Sequence, residues 1–209
     1  MENFDFLMNP LHDSSDVQKT FGDIAQRLFD EYCINCNGTE YYFAEIEFYY
    51  YEKGKWDKSW NDVTYERNAN SGDLFYHLSG VDICFLSALT KEKGKKNGSG
   101  GGMLIRSIWD GKNKDSLIVG PLTCANKMLN ACKGGSMPQL KHVEKREVKI
   151  EATYRYLGKE DFDLVGKGNN KDGNLKLAFY NTAIDLIAWN KARSSYYSKR
   201  LTKYDNKSV

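Results

Sequence analysis

Eleven consecutive residues, Tyr41–Tyr51 (YYFAEIEFYYY), constrain the fold more than any other stretch of this chain. Aromatic and β-branched residues favour a pleated strand, and alternate side chains of a strand point to opposite faces. Period-two alternation predicts a core face of Tyr42, Ala44, Ile46, Phe48 and Tyr50. The other face then carries Phe43, Glu45, Glu47, Tyr49 and Tyr51, so two carboxylates stand among aromatic rings. Two readings are open at this point. The carboxylates face solvent on an edge strand, or one of them is a general base over an aromatic slot, where apolar cover raises its proton affinity.

The 209 residues suffice for one large domain with a proper core. Lys and Arg number 30 against 28 Asp and Glu, so any nucleic-acid surface has to be local rather than global. The N-terminal MENFDFLMNP lacks the basic and apolar regions of a signal peptide, and nothing approaches the length of a membrane span. Five cysteines at scattered spacing point to reduced thiols and a cytoplasmic protein. Cys33 and Cys36 form a single CxxC, which lacks the second half of a zinc site. The isolated His12, His77 and His142 do not supply it, so neither a metal nor another cofactor is expected.

Further along, residues 1–13 read as a tail. Phe21, Ile24, Ala25, Leu28, Phe29 and Tyr32 recur at helical spacing, and the Asn35–Gly38 cluster turns the chain into the Glu-bearing strand. Trp56 and Trp60 fall in a polar loop, where a tryptophan plugs a small cluster or serves as a binding platform. Leu74–Leu78 and Val81–Leu86 flank Ser79-Gly80 as a β-hairpin. The run KEKGKKNGSGGG, residues 91–102, reads as a flexible connection. Met103–Trp109 (MLIRSIW) is a short buried strand with one charge, Arg106, which needs a core carboxylate or a ligand phosphate. Gly120-Pro121 opens a helix, with proline where a missing N–H costs nothing. Strands follow at 148–156 and 175–180, then a helix from about Thr182. Lys127, the basic run 141–149 and the basic end of the chain are the local candidates for phosphate contacts. Together these elements predict a single α+β domain with a mostly antiparallel sheet and helices outside it.

Five stretches taken in order resemble the alkyladenine (3-methyladenine) DNA glycosylase family: Ala44-Glu45-Ile46-Glu47-Phe48-Tyr49, Arg67-Asn68, Gly72–Gly80, Met103–Ser107 and Gly120–Thr123. The resemblance spans about residues 20–132 and implies a curved antiparallel sheet with flanking helices. It implies a monomeric, metal-free enzyme that flips a damaged purine out of DNA and hydrolyses its N-glycosidic bond. Carried over, Glu47 activates the water, Tyr49 and Tyr76 sandwich the flipped base, and Arg106 lies near the DNA backbone. The chain departs from the pattern where the family inserts a tyrosine into DNA, since Ser79 stands there. It departs again at Leu86, in place of a pocket asparagine, and near Lys58, where a pocket histidine is missing between Trp56 and Trp60. Two function classes follow: a glycosylase on DNA or another nucleoside-containing substrate, and a non-catalytic nucleotide or nucleic-acid binding protein on the same fold.

Overall fold

The computed structural model describes residues 4–8, 17–54, 66–132, 135–155 and 176–184. Trp56, Lys58 and Trp60 lie outside these residues; of the helix expected from about Thr182, residues 182–184 form a turn and the rest lies outside the described residues. The fold is α+β. Helix α1 (Val17–Glu31) leads into strands β1 (Tyr32–Cys36) and β2 (Thr39–Glu52) through a tight turn at Asn37 and Gly38, both at positive φ. Short strands β3 (Arg67–Ala69), β4 (Leu74–His77), β5 (Gly80–Cys84) and β6 (Ser87–Glu92) follow, then the long β7 (Lys95–Trp109). After β8 (Ile118–Val119) come helix α2 (Pro121–Ala131), β9 (Gln139–His142), β10 (Ile150–Arg155) and β11 (Lys176–Asn181).

Every described strand pair is antiparallel, and the main path of the open sheet runs β10-β11-β2-β7-β5-β4. β1 and β9 extend from the start of β2. Both described helices cover one face. Phe21, Leu28 and Phe29 of α1 and Cys124, Ala125 and Met128 of α2 share a core with Ile46, Phe48 and Tyr50 of β2. Val81, Ile83, Met103 and Ile105 complete it from β5 and β7. Proline begins α2 after Gly120, where no N–H is lost from the helical ladder. No described helix is long and apolar enough to cross a membrane.

Residues 91–102 are not a flexible connection. Lys93 and Gly94, both at positive φ, make the two-residue turn that joins β6 to β7, and the glycines that follow are strand residues. Their function is close approach. A Cβ on Gly101 would stand 2.3 Å from the Tyr49 carbonyl oxygen, and one on Gly102 would stand 2.4 Å from that of Ile83. Low complexity in sequence is therefore contact in space, on both edges of β7. Gly101→Val is expected to force β7 off β2 and to lower stability by about 3 kcal/mol or leave the chain insoluble. A urea midpoint equal to wild type would contradict this.

The N-terminal segment is likewise no free tail where it is described. Asp5–Leu7 form a single 3-10 turn, Leu7 is fully buried, and its carbonyl accepts the Leu86 N–H at 3.2 Å.

Candidate functional site

The site lies on the sheet face opposite the two helices, and an irregularity in β2 and β7 shapes it. Phe43 pairs with Ile108, Glu45 with Ser107 and Ile46 with Ile105, so each strand carries one extra residue there. These bulges shift the alternation expected from sequence. Tyr41 and Phe43, not Tyr42 and Ala44, belong to the main core, whereas Ala44 packs with Trp109, Tyr180 and Ile184 on the far face. Beyond the bulge the expected pattern holds, and Glu45, Glu47, Tyr49 and Tyr51 share the helix-free side.

Glu47 is not solvent-facing. Its side chain is 1% exposed, and Arg106 Nη1 donates to Glu47 Oε2 at 3.0 Å. Arg106 Nε stands 3.7 Å from Glu45 Oε2, so one guanidinium serves two buried carboxylates. The extra residue in β7 is what turns Arg106 to this face beside Ser107. The partner that an arginine in an apolar strand requires is thus a carboxylate pair, and Arg106 does not project outward towards a DNA backbone.

A second polar cluster adjoins the first. Glu47 pairs with Leu104, and Leu104 with Asp82, which puts Asp82 two strand spacings, about 10 Å, from Glu47. Arg67 Nη2 meets Asp82 Oδ2 at 3.1 Å and Nη1 donates to the Tyr49 hydroxyl at 2.6 Å. The Tyr49 hydroxyl donates in turn to Asp82, and His77 Nε2 stands 3.2 Å from Asp82 Oδ1. The Arg67 guanidinium also lies over the Phe75 ring at 4.4 Å. Burial, with the Asp82 charge second, holds the Tyr49 phenol well above its usual range. Tyr49 is therefore committed to a network and packs beside Tyr51 and Leu89. It is not a bare wall awaiting a base.

Tyr76 is not part of this site. On β4, Phe75 pairs with Asp82 and faces the carboxylates, so Leu74 and Tyr76 point to the helix side and pack on the main core. The expected Tyr49–Tyr76 sandwich does not form. Ser79 is exposed in the β4–β5 turn, and its N–H donates to His77 Nδ1 at 3.2 Å. Of the basic candidates, Lys127 is exposed on α2. Lys141 holds Glu40 at 2.8 Å, and the Arg146 guanidinium lies 3.8 Å over the Tyr42 ring with Nη2 donating to the Phe29 carbonyl. Sequence reasoning missed Arg67, Asp82 and His77 as a site. The one available signal was a carboxylate inside the apolar run Val81-Asp82-Ile83-Cys84, the acidic counterpart of Arg106.

No family model, curated protein or solved structure matches the chain. Among the described residues no three His, Cys, Asp or Glu side chains gather as metal ligands would.

The buried thiols set an alkaline limit. Burial pushes Cys36, Cys84 and Cys124 up from 9.0 to about 12, with Cys132 adding to the effect at Cys36 and Arg67 opposing it at Cys84. Above pH 9.0 the unfolded chain loses protons that the folded chain keeps. The stability from these groups is whole below that pH and falls as pH rises towards 12, by about 1.4 kcal/mol per pH unit for each thiol. Urea midpoints measured at about pH 8 and about pH 10.5 should differ by that slope; equal midpoints would refute the burial assignment.

Proposed function

We propose that this chain is a metal-free N-glycosyl hydrolase acting on a nucleoside-containing substrate, built as a divergent member of the alkyladenine DNA glycosylase family. The observation that carries the reading is the Glu47 carboxylate on the helix-free sheet face, 3.0 Å from Arg106. Six ionisable side chains lie together on that face, with Glu45, Glu47, Arg67 and Asp82 buried and His77 and Arg106 half-buried. Desolvating so many charges costs more than an apolar core would, and such clusters concentrate where chemistry is done.

In the proposed step Glu47 takes a proton from water as the water oxygen bonds to the sugar C1′. The C1′–N bond breaks and its electron pair leaves with the base, which takes a proton from solvent water while Glu47 returns the one it accepted. Arg106 holds the Glu47 carboxylate in place through its Nη1 contact at 3.0 Å. At 13% it is also the most exposed side chain of its trio, so substrate reaches Glu47 by moving the guanidinium aside. The departure of Tyr49 and Tyr76 from a shared slot means that the base is held by other groups than the resemblance implies.

The near-complete burial of Glu47 favours a second reading, in which the ion clusters only hold the sheet and the chain binds its ligand without cleaving it. Base release from a panel of lesion-bearing duplexes and single strands separates the two. The hydrolase reading predicts release from at least one substrate by wild-type protein. Binding without any release would transfer the site to the second reading.

A further inference from the structure

We propose that a separate cleft, between edge strands β4 and β9, binds a neutral planar heterocycle of the nucleobase type. The cleft has a volume of about 700 Å³, and Phe4, Asn35, Tyr76, Met137, Gln139 and Lys141 are among its lining residues. That volume is in the range of small-molecule sites. Among the described residues β4 pairs only with β5 and β9 only with β1, so the cleft lies between two edges of the sheet.

The lining chemistry selects the ligand. Phe4 and Tyr76 offer aromatic surface for a flat ring, and the Asn35 and Gln139 carboxamides carry the donors and acceptors that read a ring's polar edge. Asp73 and Lys141 also line the cleft and cancel in charge, and Lys141 is already held by Glu40 at 2.8 Å. No surplus cation remains for a phosphate, so the base rather than a phosphate group is what the cleft recognises. The walls are set in advance. A Cβ on Gly72 would stand 2.5 Å from the Phe4 ring, which shows how closely that ring seats on the backbone. Asn35 Oδ1 is fixed by the Gly38 N–H at 3.0 Å. Met137, 58% exposed, puts an adaptable thioether at the rim.

Tyr76 and Leu74 face away from Glu47 across the sheet, so this binding site stands without the hydrolase reading. Calorimetric titration of the full chain with adenosine, guanosine, cytidine and uridine tests it, with ribose 5-phosphate as the non-aromatic control. At least one nucleoside should saturate with Kd below about 1 mM. Its 5′-monophosphate should bind within about threefold, because the phosphate finds no partner. Gln139→Ala and Met137→Glu, both at exposed positions that folding does not need, should each weaken binding about tenfold. The proposal is overturned if no nucleoside saturates, if ribose 5-phosphate binds as tightly, or if both cleft variants bind like wild type.

Discussion

Arg67→Met is expected to lower stability by about 3–5 kcal/mol, the cost of leaving a buried charge without its partner. The Arg67 side chain is 1% exposed and ties β3 to three other strands. From β3 it reaches Asp82 on β5 at 3.1 Å, the Tyr49 hydroxyl on β2 at 2.6 Å and the Gly101 carbonyl on β7 at 3.3 Å. Methionine fills much of the volume and supplies no charge, so Asp82 would be left with His77 and the Tyr49 hydroxyl in a desolvated setting. Urea unfolding of the single variant should show the loss. Arg67→Met combined with Asp82→Leu should recover much of it, because removing both charges abolishes the desolvation cost together with the attraction. A single variant within about 1 kcal/mol of wild type would show that Asp82 does not depend on Arg67.

Arg106→Met is the second large effect, expected at about 3 kcal/mol or more. Here one guanidinium faces two carboxylates, Glu45 at 3.7 Å and Glu47 at 3.0 Å, and both are 1% exposed. Without the cation the two buried acids repel each other and lose their shared partner. Adding Glu47→Gln to Arg106→Met removes one of the two charges and should restore part of the stability. If the pair were only a surface contact, the single variant would cost less than about 1 kcal/mol.

Periodic features were legible in the sequence. The spacing of Phe21, Ile24, Leu28 and Phe29 marks α1, Gly120-Pro121 marks the start of α2, and alternation around Ser79-Gly80 marks the β4–β5 hairpin. The side shared by Glu45, Glu47, Tyr49 and Tyr51 could also be read, because nothing breaks the alternation after Glu45. What could not be read depends on neighbouring strands. A bulge conserves composition while moving side chains across the sheet, so Phe43 enters the core without any local sign. The face taken by Tyr76 is fixed by its register with Val81 and, through β5, by the register of β5 on β7. The glycines of 100–102 look like linker residues until β2 and β5 are known to press on them from both sides. Arg67, His77 and Asp82 come from three separate strands and meet only in the folded chain.

Single-turnover base release, with enzyme in excess over substrate, tests the role of Glu47 most directly. Glu47→Gln keeps the shape of the side chain and removes the proton acceptor, so base release should fall by a factor of about 100 or more while substrate binding stays within a few-fold of wild type. Glu45→Gln, which changes the carboxylate farther from Arg106, should lower the rate by less than about tenfold. A Glu47→Gln protein that releases base at the wild-type rate would contradict the assignment of this carboxylate as the water-activating base.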